Sequence, residues 1–293
     1  MKKKHIDIFQ WVLFSILIIY VLSLVYTIFW GALNSLKTER DFLLEKNRFG
    51  LPKEWMFSNY KTVLQKLVVP VERSGNRIKV TILGQVINSL SYAVGCCIFS
   101  ALAPCLMGYA VAHFSFKWNT VIVNTVIVTM ALPVIGAGTS LLDLIHTLGL
   151  HDNFLGMYIN SFSFANMYFL VYLAAFKSIP ASFSEAAYID GASELQVMVK
   201  IQLPLVSKMF VTIALLGFIG AWNDYSTPLL YLPSHPTFAY GVWYTVLVAT
   251  TPDMNMTTLK LASAMILVLP VLILFIAFKK RIMTNLSAGG EKE

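Results

Sequence analysis

Charge is scarce in this chain. Only 13% of its 293 residues are Asp, Glu, Lys or Arg, about half the fraction usual for a soluble domain. With 57% hydrophobic residues, that scarcity excludes a water-soluble globule. Nowhere does G-x4-G-K-[ST] occur, so the chain offers no loop to cradle ATP phosphates. No nucleophile stands in a recognisable arrangement with a base, which argues against catalysis by this chain. The net charge of +7 is not gathered into a basic stripe with interleaved aromatics, which argues against nucleic acid. Only three cysteines are present, Cys96, Cys97 and Cys105. They share one apolar run, and their spacing suits neither zinc nor a disulfide framework, so they read as small buried hydrophobes. His146 and His151 bracket the stretch HTLGLH near Asp143 and Asp152, but no third ligand can be placed and no metal site is expected. His5, His113 and His235 read as interface or loop residues. Neither a 20–50-residue repeat nor a low-complexity segment is evident.

What the chain has instead is long uncharged runs. Ile8–Leu36, Val80–Phe116, Trp118–Leu142, Asn153–Phe176 and Tyr225–Pro252 carry no Asp, Glu, Lys or Arg, and Leu261–Phe278 adds a run just long enough to span if Lys260 snorkels outward. The runs are continuously apolar and do not alternate, which excludes a β-barrel. Six spans follow, at about 9–32, 86–112, 120–142, 154–176, 207–231 and 259–279. Pro104, Pro133, Pro228 and Pro270 fall inside them as kinks that neighbouring helices can accommodate. Met-Lys-Lys-Lys-His at the start imitates a secretory signal, but Phe9–Trp30 is longer than a signal core and no cleavage site follows. It reads as a retained first span.

With the N-terminus inside, the inner and outer segments each carry eleven basic residues. The long outer loop is a weak voter, because its basic residues are mixed with Glu39, Asp41, Glu45, Glu54 and Glu72. The short connections are clearer. Those around 146–152 and 233–258 hold no Lys or Arg, whereas 113–118, 177–206 and the C-terminal tail do. Both termini and the 177–206 segment are therefore expected in the cytoplasm. The organisation is a tail and first span (1–32), an extracytoplasmic loop (33–82), a core (83–282) and a cytoplasmic tail (283–293).

One polar segment interrupts the core. In SFSEAAYIDGASELQVMVKIQLP (182–204), Pro180 suits a helix start, and Ser182 with Glu185 has capping-box spacing. Gly191 suits a left-handed helix end. Ser193 and Gln196 repeat the capping spacing, and Leu195, Met198 and Val199 share a face before Pro204 stops the second helix. A helix–turn–helix with no span of its own is either a connector lying on the lipid surface or a docking element for a soluble partner.

Glu185-Ala186-Ala187, Gly191, Ile201, Leu203 and Pro204 fit E-A-A-x3-G-x9-I-x-L-P at every specified position. The segment resembles the EAA loop of permease subunits of binding-protein-dependent ABC importers. Five further stretches are similar to the carbohydrate branch, the six-span permeases of maltose and glycerol-phosphate importers: LPKEWMFSNYKTVL (51–64), INSLSYAV (87–94), LMGYAVAHFSF (106–116), AWNDYSTPLL (221–230) and the tail NLSAGGEKE (285–293). Three departures are visible. His113 stands where an arginine is usual, Lys117-Trp118 replaces Pro-Gly, and the tail reads Gly289-Gly290-Glu291.

The resemblance implies an all-α integral membrane protein of the type I ABC importer permease fold, with six transmembrane helices and a cytoplasmic coupling helix pair at 180–204. It implies a prokaryotic cytoplasmic-membrane location and import of a sugar or sugar-like solute. Its partners would be membrane lipid, a second, non-identical permease, an extracytoplasmic solute-binding protein and a cytoplasmic ABC ATPase dimer. That dimer would use ATP and Mg, while this chain binds no cofactor. Glu185 would anchor to the ATPase and Gly191 would set the angle between the helices. Importers of non-sugar solutes and a stand-alone secondary transporter are the rival classes; the second calls for intramembrane acids, of which there are few. Asp224, after Trp222 and Asn223, reads either as a cap at the end of a span or as part of the solute path. Tyr225, Asn160, Ser161 and Ser163 are either interhelical polar glue or weaker candidates for the same wall. The loop 33–82 either caps the core or meets the external binding protein.

Overall fold

Four helical stretches combine the length and apolarity needed to cross a bilayer: Ile8–Ser35, Ile82–His113, Glu194–Asn223 and Thr257–Lys279. At 1.5 Å per residue, even the shortest exceeds the ~30 Å hydrocarbon core. The structure is a computed structural model describing residues 8–73, 75–132, 136–248 and 254–287. The expected kink at Pro133, the lysines at 2–4, His5 and the tail from 288 lie outside the described residues.

In chain order the elements are α1 (Ile8–Ser35), a π-turn (Arg40–Leu44), α2 (Ser58–Lys66), β1 (Val68–Arg73), β2 (Asn76–Thr81), α3 (Ile82–His113), α4 (Asn119–Ala131), α5 (Ala137–Thr147), α6 (Phe154–Ser161), α7 (Met167–Lys177), α8 (Ser182–Ile189), α9 (Glu194–Val197), a second π-turn (Met198–Gln202), α10 (Leu203–Asn223), α11 (Ser226–Tyr231), α12 (Phe238–Leu247) and α13 (Thr257–Ser287). The two-stranded β1–β2 sheet corrects the all-α expectation. Alternation drives it, with Val69 and Val71 buried and Pro70 between them exposed.

Two expected spans are not single helices. The run 120–142 is divided between α4 and α5, and 154–176 between α6 and α7. The run 207–231 ends its main helix at Asn223, and Pro228 lies in the separate short α11 rather than at a kink. Helices α3 and α13 do run through Pro104 and Pro270.

Contacts divide the chain into two compact units. The first holds residues to Val68 and Val242–Leu269. In it Asn59 and Tyr60 fasten α2 to the end of α1. Asn59 Nδ2 donates to the carbonyls of Ser35 (2.8 Å) and Lys37 (2.9 Å), and Tyr60 and Ser35 hydroxyls lie 2.7 Å apart. The carboxylate of Glu39 accepts from the backbone N–H groups of Thr257 and Thr258 at 2.9 and 3.0 Å, satisfying donors at the start of α13. Apolar residues Ile8 to Phe29 of α1 are exposed, the condition of a helix whose solvent is lipid.

The second unit, Val69–Gly241 and Pro270 onward, centres on α3, which packs against α6, α7 and α10. In lipid there is little hydrophobic gain in bringing helices together, so close packing decides. At Gly95 a Cβ would lie 2.0 Å from the Tyr158 ring, so only glycine lets α6 seat there. At one end of this unit, Asp152 accepts hydrogen bonds from Ser234 N (3.1 Å), the Ser234 hydroxyl and His235 Nδ1 (3.1 Å). The rings of His146 and His151 stack at 3.8 Å, and among the described residues no group of three His, Cys, Asp or Glu forms.

Candidate functional site

The polar segment forms two helices, but not by the rules expected at every point. Ala181 precedes α8 with a helical backbone (φ −58°, ψ −29°) and no side-chain cap. A capping box needs an extended residue before the first turn. Here the turn has already begun at Pro180, whose carbonyl accepts from Phe183 N at 3.2 Å. Ser182 is thus inside the helix, the Ser182–Glu185 box does not form, and the Glu185 carboxylate is left exposed.

At the other end of α8 Gly191 adopts φ +81°. Ala192 N bonds to Ala187 O (2.9 Å) and Gly191 N to Tyr188 O (3.0 Å), the 6→1 and 5→2 pair of a Schellman ending. Ser193 then caps α9 with both bonds of a capping box: its N–H donates to Gln196 Oε1 at 2.9 Å and its Oγ accepts from Gln196 N at 3.4 Å. Pro204 does not stop this helix, contrary to expectation. Proline lacks an N–H and its ring collides with the carbonyl four residues back. The π-turn Met198–Gln202, closed by Leu203 N to Met198 O, widens the helix at that place. The chain therefore runs helically from Glu194 to Asn223.

The rear of the segment is anchored. Ser184, Ala187, Val197 and Gln202 are buried, and Gln202 Nε2 donates to Ser184 Oγ at 2.8 Å, joining α8 to the π-turn. A second tie reaches α3. The Tyr188 hydroxyl donates to Glu194 Oε2 (2.8 Å) and accepts from His113 Nε2 (2.8 Å), and His113 lies 3.4 Å from the same carboxylate. Tyr109, one turn back on α3, stacks on His113 with ring centroids 5.2 Å apart. Desolvation, together with the neighbouring Glu194 carboxylate, pushes the Tyr188 pKa up to about 12, so the phenol stays a donor at neutral pH. Between the ends of α3, α7 and α8 lies a cleft of 360 Å³ bordered by His113, Lys177, Glu185 and Tyr188.

The front is bare. Ile189 is 86% exposed and Leu195 66%, and Phe183 and Val199 are about half exposed. Among the residues picked from sequence, Glu185, Ala186, Gly191 and Pro204 are exposed, Ala187 is buried, and Ile201 and Leu203 are half-buried. Sequence reading put Tyr188 in the first short helix and Glu194 in the first turn of the second without assigning either a contact, and it placed His113 in a loop or interface. The one signal was the departure at His113 itself.

The candidate path residues are dispersed. Trp222 is buried and stacks on Phe218 at 5.9 Å. Asn223 is exposed and returns its amide to Ile219 O at 2.8 Å. Asp224 bridges the break between α10 and α11: Oδ1 accepts from Ser226 N (2.9 Å), Ser226 Oγ (2.9 Å) and Thr227 N (3.1 Å), and Oδ2 accepts from Tyr92 OH (3.1 Å). Tyr225 is 41% exposed. Asn160 is exposed near the end of α6.

Residues 101–287 match the model of a family described as binding-protein-dependent transport system inner membrane component. The diacetylchitobiose uptake system permease protein NgcG of Streptomyces coelicolor is 23% identical over 94% of this chain and 86% of its own length. The probable starch degradation products transport system permease protein AmyC of Thermoanaerobacterium thermosulfurigenes is 27% identical over the full length of both chains. A crystal structure of a bacterial ABC transporter involved in the import of the acidic polysaccharide alginate contains a chain of the same fold. Its TM-score is 0.73 at 24% identity, covering 96% of this chain and 98% of that one.

Proposed function

Because the chain belongs to the binding-protein-dependent transport system inner membrane component family, we propose that it is one of two non-identical permeases in a prokaryotic ABC importer for a sugar or sugar-like solute. Four spans are the long helices, and α4–α5 and α6–α7 make two more as broken spans, giving six with both termini cytoplasmic. The segment 180–204 docks on an ATPase dimer that uses ATP and Mg, while an external binding protein delivers the solute. Closure of the ATPases moves the segment, and the two permeases rock around a central path that includes Asn160 and Trp222–Tyr225.

One observation carries the docking reading. The two-helix element is pinned from behind by Ser184, Gln202 and the His113–Tyr188–Glu194 contacts, yet it presents Ile189, Leu195 and an uncommitted Glu185 outward. A surface connector needs no such bracing, whereas an element that must deliver displacement does. The sugar assignment is supported by relatives whose names specify diacetylchitobiose and starch degradation products.

Affinity purification from native membranes tests the reading. An ATPase and a second permease are expected in the eluate, with the ATPase depleted from the Glu185→Ala chain although its membrane insertion is normal. A chain that purifies alone in mild detergent would overturn the importer reading, and full ATPase recovery with full uptake in the variant would remove Glu185 from the interface.

A further inference from the structure

The junction between α6 and α7 is a helix break level with the middle of α3. Helix α3 supplies the depth gauge, since it is long enough to cross the bilayer and its midpoint lies near Cys97 and Ile98. Helix α6 is fixed to that part of α3. Tyr158 occupies the space above Gly95 and donates its hydroxyl to Ser91 O at 2.8 Å, Cys96 Sγ lies 3.9 Å from Met157 O, and Phe99 meets the Tyr158 and Phe162 rings at 5.7 and 6.0 Å. The chain therefore leaves helical geometry beside Phe99. It resumes at Met167, after Asn166 has capped α7 by accepting from Tyr168 N at 3.0 Å.

Between them the backbone is irregular and the residues are open. Ser163 N turns back to Ser161 O (2.9 Å) and Asn166 N to Phe164 O (2.8 Å). Phe162 is 47% exposed and Phe164 37%, and Ser163 and Ala165 are exposed as well. Such a stretch leaves peptide groups outside the helical ladder, and hydrocarbon cannot solvate them. Irregular backbone at membrane depth is tolerated where it is covered by protein or faces water. The composition favours water. Ser161 Oγ donates to Met157 O at 2.8 Å and Asn166 Nδ2 to Ser163 O at 2.9 Å, but Asn160 and Ser163 are exposed close in sequence to the two aromatic residues, a mixture that can hydrogen-bond and stack against a ring-shaped, hydroxyl-rich solute.

We infer that Asn160–Asn166 forms part of the wall of the solute path, as an aqueous surface where the polar solute crosses mid-membrane. This deepens the importer reading and rests on it. The test is the labelling rate of Ser163→Cys in the assembled transporter in membrane vesicles, using a charged, membrane-impermeant methanethiosulfonate. Ile19→Cys in the middle of exposed α1 is the lipid-facing reference, and the unsubstituted chain with its buried cysteines gives the background. Each unit by which lipid raises a thiol pKa removes about nine-tenths of its thiolate. Ser163→Cys is thus expected to react at least about tenfold faster than Ile19→Cys, with a several-fold change in rate between nucleotide-free and vanadate-trapped complexes. A rate equal to the reference overturns the inference and leaves the break covered by lipid or a partner helix. Fast labelling that is the same in both states also overturns it, because a static water crevice is not a transport path. Ala165→Cys repeats the measurement should Ser163→Cys assemble poorly. Failure of the importer reading shows separately, as the absence of an ATPase in the purified complex before any labelling.

Discussion

Substitution at Gly191 isolates backbone conformation from packing. The residue sits at φ +81°, and a Cβ built there meets nothing within 4 Å, so a side chain introduces no clash. The penalty is then purely that of holding an L-residue in the left-handed region, roughly 1–2 kcal/mol for alanine. At about 1.4 kcal/mol per tenfold, alanine reduces the population with the native angle between α8 and α9 by roughly 5- to 30-fold relative to relaxed alternatives. Asparagine tolerates this region better, and a β-branched residue does worse. The expected order of uptake in a reconstituted transporter is therefore Gly, Asn, Ala, Val. The melting temperature of the isolated chain should fall little, because the turn is solvent-exposed and can relax locally. ATP hydrolysis should persist while uptake falls, the signature of lost coupling. Equal uptake for glycine and valine would refute the idea that the helix angle matters, and a parallel collapse of stability and uptake would make the turn a folding element.

Other substitutions separate the remaining contacts. Tyr188→Phe removes the bonds to His113 and Glu194 and should lower stability by about 1–3 kcal/mol in a thermal melt. His113→Ala should be non-additive with it in a double-mutant cycle, whereas His113→Arg, which keeps a donor facing Glu194, should retain function; additivity would dissolve the network. Asp224→Asn keeps an acceptor for Ser226 and Thr227 and should leave uptake nearly unchanged, while Asp224→Ala loses the cap at about 1 kcal/mol. A large loss of uptake in the asparagine variant at unchanged stability would mean that the carboxylate charge itself, and not only its cap, serves the path. At Asp152 burial alone would raise the pKa, but hydrogen bonds from Ser234 and His235 outweigh it and hold the carboxyl below its ordinary value. Its contribution is thus present above the unfolded value of about 4 and lost as pH falls through the folded one. Asp152→Asn should flatten the acid side of the stability profile, and an unchanged slope would remove the group from the acid transition.

The parts of the two-helix segment legible in the sequence were those governed by a few adjacent residues. Gly191 and the Ser193–Gln196 box follow from local backbone chemistry and need no tertiary information. The Ser182–Glu185 spacing misled because spacing does not say where the first turn begins, and Pro180 had already begun it. Pro204 misled for a related reason: the stop rule assumes an i→i−4 ladder, and the π-turn before it is a different ladder. The strand pair Val68–Arg73 and Asn76–Thr81 was masked by its mixed charge, although alternating valines and a Ser-Gly dipeptide were visible in VVPVERSGNRIKVT. Tyr188 and His113 are 75 positions apart, and only the fold brings them together.

The π-turn also bears on how motion at the surface would reach the membrane. Glu194–Asn223 is one helical run, so a displacement of α9 passes into α10 without crossing a flexible loop. Sharp bends in helices fall at π-bulges among a few other places, because the i→i−4 ladder is interrupted there. Bending would concentrate at Met198–Gln202, beside the Gln202–Ser184 bond that ties it to α8. The His113–Tyr188–Glu194 contacts give α3 a second connection to the same helix pair. Because α3 and α10 pack directly on each other, the two connections act on a single packed unit. That unit carries the irregular Phe162–Asn166 junction beside Phe99. A turn fixed by Gly191, a π-turn behind it where the run can bend and the helix break between α6 and α7 are what a chain needs if docking at one end is to change access at the centre.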